Sequence, residues 1–282
     1  QICESFSEAM NLGIIGQGFV GNAIYCKFKN FFNVYTYDLK KDICNSSIEE
    51  IKKLCKIIFV CVPTPMNKDG SCDISIVESV IKKFAEKKSC IIINKSTVPP
   101  GTTKVFNKKF KKIQIVFNPE FLTERNAVSD YENQNRIVLG GPRPATTKVK
   151  NIFSKVFPQS NIIKTGSMHA EMIKYFTNSF LATKVSFANE IYDICSKLNL
   201  DFDKVVEYSI YDKRIGNSHL NVPGHDGDFG FGGHCFPKDL NALINLSDKL
   251  GAKNNILKSV LKTNDEIRKN RDWEEMKGRA IN

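Results

Sequence analysis

The chain has 282 residues, 41% of them hydrophobic and 25% charged, which gives room for two cored domains and matches a globular protein. No apolar run is long enough to cross a bilayer, and the opening QICESFSEA, with two glutamates and no basic residue, does not read as a secretory signal, so no membrane partner is expected. A net charge of +11 would suit nucleic acid, yet only seven of the 41 basic residues are arginines and the lysines are dispersed, a pattern that fits an anionic small substrate better than nucleic acid.

MNLGIIG at Met10 resembles a natural start, so residues 1–9 are expected to be an extension. NLGIIG (11–16) predicts an apolar strand, FVGNAIYCKFKNF (19–31) a helix, NVYTYD (33–38) a strand, SIEEIKKLC (47–55) a helix and KIIFVCV (56–62) a strand. An amphipathic helix over 73–87 precedes strands at 90–96 and 112–118. A strand at 135–141, a helix at 144–157 and a short strand at 161–166 follow. This alternation predicts a Rossmann-like α/β domain with a doubly wound parallel sheet. After Gly166 the strands stop. Residues 167–200 contain neither glycine nor proline and predict one long connecting helix. A helix from 201 capped by Asp201, a glycine-rich loop (216–238), and helices over 239–250 and 254–275 complete a helical domain. The expected division is therefore 1–166, an α/β domain, and 167–282, a helical domain.

Gly16-Gln17-Gly18-Phe19-Val20-Gly21 is a GxGxxG between a strand and a helix, where glycines let backbone approach a pyrophosphate at the positive helix end. The second strand ends at Asp38, placed to accept hydrogen bonds from an adenosine ribose and to repel a 2′-phosphate, so the expected cofactor is NAD rather than NADP. Glu171, Lys174 and Asn178 share one helix face. A lysine and an amide so placed can stabilise an alkoxide, and a solvated polar stripe is the alternative. The nine cysteines show no CxxC pair, so no disulfide framework or zinc ribbon is supported; buried thiols in a reducing cytoplasm are expected. In GHDGDFGFGGHCFPKD, His225, Asp226, Asp228, His234 and Cys235 lack the paired spacing of a metal site, and no metal is expected. Cys235 fits a nucleophile better, since Lys238 and the start of the next helix could favour its thiolate.

Seven motifs in order resemble the UDP-glucose/GDP-mannose dehydrogenase family: GIIGQGFVG, FVCVPTP, NKSTVPPGTT, FNPEFL, AEMIKYFTNSF, DKRIG and GFGGHCFPKD. The resemblance implies an enzyme that oxidises the C6 alcohol of a UDP-sugar twice, UDP-glucose to UDP-glucuronate being the first reaction to test. It implies that Cys235 attacks the aldehyde to form a thiohemiacetal, then a thioester that water hydrolyses. Lys174 and Asn178 would stabilise the negative oxygen, Asp239 would orient the lysine and a water, Glu120 would assist base chemistry and hydrolysis, and Thr97 would position water. Which of Lys174, Asp239 and Glu120 removes the first proton is open. Cofactor contacts carry over to Gly16, Gly18, Phe19, Val20, Gly21, Asp38, Thr64, Thr97 and Glu124. Substrate contacts carry over to Glu120, Phe121, Leu122, Lys174, Asn178, Phe231, Gly232 and Gly233, with backbone amides of the glycine run lining the sugar pocket. Arg214 would reach the site of a partner subunit in a homodimer.

Two departures stand out. Arg125 occupies a position where the family commonly has glycine, and residues 1–282 show no counterpart of the third α/β domain that helps to hold UDP. The chain is expected to be a short form or a fragment. GDP-mannose or UDP-N-acetyl sugars, an incomplete binding protein that needs a partner chain, and a two-electron 3-hydroxyacid dehydrogenase are the alternatives.

Overall fold

The computed structural model describes residues 10–282, so the expected extension (residues 1–9) lies outside the described residues. They form two compact units, one comprising the chain up to Thr64 with Ile74–Lys174, the other Pro65–Asp73 with Tyr175–Asn282. The first is built on strands β1 (Asn11–Ile15), β2 (Asn33–Tyr37), β3 (Ile57–Val60), β4 (Cys90–Asn94), β5 (Ile113–Phe117), β6 (Arg136–Gly140) and β7 (Asn161–Thr165). Helices α1 (Phe19–Phe28), α2 (Ile48–Leu54), α3 (Ser75–Lys82), α4 (Thr102–Lys109), α5 (Ala127–Glu132) and α6 (Arg143–Val156) connect them.

The sheet order is β2-β1-β3-β4-β5-β6-β7. Strand residues alternate between two cores, as a side-chain period of two requires. Leu12, Ile14, Phe59, Ile91 and Ile93 enter one core, and Ile15, Ile58, Val60 and Ile92 the other. The first core is aromatic, with the Phe28 ring 5.2 Å from Phe59 and 5.5 Å from Phe153, both edge-on. Strands β1 to β5 run parallel, as predicted, but β5 and β6 pair antiparallel, through Phe117 and Gly140, and β6 and β7 are parallel to each other. The connection between them, residues 118–135, carries only a 3₁₀ turn (Glu124–Asn126) and the six-residue α5.

Helix α4 was not predicted, because its start is set from far away in sequence. Gly101 precedes it at φ +102°, and the buried Glu171 accepts the Gly101 N–H at 2.6 Å and the Thr103 N–H at 2.8 Å.

Helix α7 (Ser167–Lys197) is the predicted long helix; its first turns belong to the first unit and the remainder to the second. Among the described residues no helix is long and apolar enough to cross a membrane. The second unit adds α8 (Phe202–Ser209), α9 (Cys235–Lys249) and α10 (Asn255–Ile267). Asp201 caps α8 as expected, accepting from the Asp203 and Lys204 N–H groups. Two small cores hold these elements, one of Ala182, Phe231, Leu240, Ile244 and Val260, the other of Ala188, Cys195, Phe202, Leu220 and Val222.

Helix α9 begins at Cys235, four residues before its predicted start. Pro237 falls in its first turn, where no N–H is needed, so it does not block the helix. Helix α10 ends earlier than predicted. Arg268 turns extended after it (ψ 114°), and its guanidinium is buried against Asp226 at 2.8 Å and Asp228 at 3.6 Å. Residues 65–73 leave the first unit and pair in the second, where the Met66 N–H donates to the Ala280 carbonyl at 2.8 Å. The eight described cysteines form no disulfide; Cys55, Cys90 and Cys195 are buried as expected, while the other five are only half-buried.

Candidate active site

In the first unit the order of strands reverses between β1 and β3, and the crevice at their carboxyl ends is where an open α/β sheet binds its ligand. The glycine loop occupies it. Gly16 has φ +96°, and a Cβ there would stand 2.4 Å from the Cys61 carbonyl oxygen. A Cβ on Gly21 would stand 1.9 Å from the Gly16 carbonyl oxygen, so only glycine lets α1 pack this closely. Gly18, by contrast, has nothing within 4 Å of a Cβ position, which leaves its side of the loop open. It precedes α1 with no side-chain cap, and the first turn, with Phe19 and Val20 half-buried, carries no acidic residue. An anion would meet unopposed helix dipole there. The Asp38 carboxylate lies beside the loop, one oxygen accepting the Gln17 N–H at 2.7 Å and the other the Lys40 N–H at 3.0 Å. Thr64 is buried in the segment after β3, and Thr97 in the segment after β4.

Glu120 and Lys174 form a buried pair in the same unit, with Nζ 2.9 Å from Oε1 and 2.6 Å from the Glu120 carbonyl oxygen. The second carboxylate oxygen accepts the Leu122 N–H at 2.8 Å. Burial works against the charge on Glu120, but Lys174, the Leu122 N–H and Lys95 outweigh it and hold the carboxyl below its usual range. Glu120 is thus kept as an anion. Phe121 stands next to the pair, with the Arg136 guanidinium 4.3 Å and the Lys174 ammonium 5.6 Å from its ring centre. Glu124 and Arg125 lie in an exposed 3₁₀ turn (Glu124–Asn126), so the arginine that replaces a common glycine has room at the surface.

In the second unit Cys235 is the first residue of α9, whose opening turn carries no acid. That is a setting in which helix dipole favours a thiolate. Lys238 and Asp239 are buried and paired at 2.5 Å, and the other Asp239 oxygen accepts from Asn178 Nδ2 at 2.7 Å. Burial opposes the charge on Lys238, yet Asp239, Cys235 and Cys72 raise its pKa above the ordinary 10.5. The lysine therefore stays cationic, within electrostatic reach of the thiol. By contrast, burial pushes the Cys55 thiol up to about 11 and those of Cys61 and Cys90 to about 12, which makes them poor nucleophiles.

The glycines ahead of Cys235 are explained by close packing. A Cβ on Gly230 would stand 2.3 Å from Asn264 Oδ1, and one on Gly232 2.3 Å from Arg268 Nη2. The N–H groups of Gly230, Phe231 and Gly233 already donate to Asn189, Asn264 and Asp272. These three amides hold the loop in place. Asp226 and Asp228, raised above as candidate metal ligands, are committed to Arg268. Arg214 lies beyond α8 with its side chain 90% exposed, chelated by Asp212 of the same loop.

Residues 33–159 match the NAD binding domain, and residues 168–266 the central domain, of the UDP-glucose/GDP-mannose dehydrogenase family. The chain belongs to that family. It is 37% identical over 221 residues to UDP-glucose 6-dehydrogenase TuaD of Bacillus subtilis, covering 75% of this chain and 47% of that protein. It is also 37% identical over 215 residues to a UDP-glucose 6-dehydrogenase of Rickettsia prowazekii, covering 73% and 48%. The chain thus spans about half the length of the curated relatives it matches. A UDP-glucose dehydrogenase structure from Pyrobaculum islandicum superposes with TM-score 0.84 at 29% identity, over 94% of this chain and 70% of that one. A 3-hydroxyisobutyrate dehydrogenase of Mycobacterium tuberculosis shares the fold alone, with TM-score 0.75 at 13% identity over 97% of this chain and 96% of that one. The open face at Gly18, the uncapped α1 and the placement of Asp38 fit the dinucleotide for which the family's domain is named.

Sequence reading missed Lys95. It is buried at the end of the apolar strand β4, two residues before Thr97 and inside a motif already singled out. A lysine two residues beyond the aliphatic run Ile91–Ile93 was the available signal.

Proposed function

We propose that this chain is a NAD-dependent nucleotide-sugar dehydrogenase that converts the C6 alcohol of UDP-glucose to the carboxylate in two oxidations. The observation that carries the reading is the setting of Cys235, which starts α9 within reach of the Lys238 cation in the unit that also buries Asp239 and Asn178. A simple two-electron dehydrogenase has no use for that thiol. NAD, when bound, accepts a hydride at each oxidation. Gly16, Gly18, Phe19, Val20 and Gly21 would hold its pyrophosphate, Asp38 its ribose, and Thr64, Thr97 and Glu124 its remaining polar groups.

In the first oxidation Glu120, held as an anion, accepts the C6 hydroxyl proton directly or through a water placed by Thr97. Lys174 and Asn178 then stabilise the developing negative oxygen, each donor worth about 3 kcal/mol in a water-excluded site. Cys235 next attacks the aldehyde carbon. A C–S bond forms, the carbonyl oxygen takes a proton, and the product is a thiohemiacetal. Oxidation of that carbon leaves a thioester. Water adds to its carbonyl with Asp239 or Glu120 taking the proton, the C–S bond breaks, and the thiolate departs to the Lys238 cation. Phe121, Leu122, Phe231, Gly232 and Gly233 flank the sugar in this reading.

The same reading includes a two-fold dimer. Phe176, Phe180 and Phe187 of α7 are 68%, 55% and 61% exposed, a surface suited to burial against a second copy. Arg214, exposed on its own loop, would then serve the partner's substrate.

The test is to trap the thioester. In Glu120→Gln, given the C6 aldehyde of UDP-glucose with NAD so that the first oxidation is bypassed and only hydrolysis is slowed, acid quenching should leave a glucuronyl-nucleotide adduct on the peptide containing Cys235. An adduct on any other residue contradicts the assignment.

A further inference from the structure

We propose that Lys95 is a positioning residue of the oxidation site, holding Asn118 and thereby the Glu120 carboxylate, and keeping that carboxylate charged. The inference rests on the dehydrogenase reading and adds a residue to its first step. The geometry comes first. Lys95 follows β4 directly, and its side chain is buried, with Nζ donating to Asn118 Oδ1 at 2.8 Å and lying 5.6 Å from the Tyr131 ring centre. Asn118 is fixed on both other sides, its N–H donating to the Asn94 carbonyl at 2.9 Å and its side-chain amide to the Val138 carbonyl at 2.8 Å. Two residues on, Glu120 meets Lys174. The segment Asn118–Glu120 thus passes between two buried lysines. Lys95 fixes its start and Lys174 its end.

A buried ammonium is costly, and the hydrogen bond of this one goes not to β4 but to Asn118. What the ammonium adds is charge. The ionisable groups that face Lys95 are Cys61, Glu120, Lys174 and Tyr131, and those that face Glu120 are Lys174, Lys95 and Cys61. Burial pulls Lys95 down to about 8, with Cys61 and Glu120 pulling the other way and Lys174 adding to the fall. The cation beside Asn118 is therefore lost in mildly alkaline solution. With it goes part of the field that keeps Glu120 anionic.

The experiment is a carbon-13 carboxyl titration of Glu120 in the full chain, comparing wild type with Lys95→Met and Lys95→Arg. The Glu120 midpoint should rise by about one pH unit in Lys95→Met and return in Lys95→Arg. The acid limb of kcat/KM with UDP-glucose should move with it. A Glu120 midpoint unchanged in Lys95→Met, or one that Arg fails to restore, overturns the proposal. A second measurement needs no substitution at 95. With carbon-13 lysine in the wild type, one lysine should titrate near the expected value of about 8 and shift lower in Glu120→Gln. If no lysine behaves so, the proposal fails. If the carboxyl midpoint shifts as stated but no nucleotide sugar is turned over, the dehydrogenase reading fails instead, since the coupling is read without substrate.

Discussion

Replacing Asp239 by asparagine removes one charge and little else. The side chain keeps its shape, and its oxygen can still accept from Asn178. What remains is Lys238, whose side chain is 9% exposed, facing a partner of its own that was 2% exposed and is now neutral. Leaving a buried cation without its carboxylate typically costs about 3–5 kcal/mol, a fifth or more of the 5–15 kcal/mol that holds a typical domain together. Replacing both members, Lys238→Met with Asp239→Leu, removes the charges together and should recover most of that loss. The chain's only tryptophan, Trp273, is buried in this same unit, so its fluorescence during urea unfolding reports on the right part of the molecule. The expected ΔΔG for Asp239→Asn at pH 7 is about 4 kcal/mol, with the double variant within about 1–2 kcal/mol of wild type. A single variant that loses less than about 1 kcal/mol would show that the pair is solvated, and the electrostatic account of the Cys235 environment would fall with it.

Asp38→Ala should weaken NAD binding and narrow the preference over NADP, because the ribose loses its acceptor and a 2′-phosphate loses its repulsion; unchanged affinities for both by titration calorimetry would remove Asp38 from the cofactor site. For Lys95 the sign follows from a folded-state pKa of about 8 against an ordinary 10.5. The folded state disfavours the ammonium, so wild-type stability is lower by up to about 3 kcal/mol below pH 8 and recovers as pH rises from 8 toward 10.5. Lys95→Met should therefore be at least as stable as wild type at pH 7, with an advantage that shrinks across that window in urea titrations. A variant less stable at pH 7 would mean that the bond to Asn118 outweighs the burial of charge. Arg214→Ala and Cys235→Ser should each be nearly inactive, and co-expressed equally they should recover about a quarter of wild-type activity through mixed dimers with one intact site. No recovery in tagged mixed dimers would place Arg214 in its own subunit's chemistry or outside it.

The parts of this molecule that could be read from its sequence are those governed by local periodicity. Strands such as CIIIN and the run from Ser167 to Lys197 carry their own pattern, and the GxGxxG and Asp38 follow from strand ends, so both loop and carboxylate were placed correctly beside each other. Features set by distant partners were not legible. Glu171 starts α4 from 68 residues away, Arg268 ends α10 by burying its charge among Asp226 and Asp228, and residues 65–73 join the chain's last residues. The antiparallel pairing of β6 with β5 was not legible either, because no local motif sets a strand's direction in the sheet. At the candidate site the residues proposed to carry chemistry were singled out because their types are unusual in context. Their partnerships were not: Lys174 pairs with Glu120, whereas Asp239 pairs with Lys238 and Asn178, and sequence order contains no information about which carboxylate meets which cation.

The most direct test of the central claim is the yield of NADH per sugar consumed, measured with the purified chain over a panel of UDP-glucose, GDP-mannose and UDP-N-acetyl sugars. Covalent catalysis at Cys235 predicts two NADH for each UDP-glucose, no released aldehyde, and the loss of uronate formation in Cys235→Ser with NAD binding retained. One NADH per sugar would reduce the chain to a simple alcohol dehydrogenase, and none with any sugar would contradict the assignment of turnover to this chain alone.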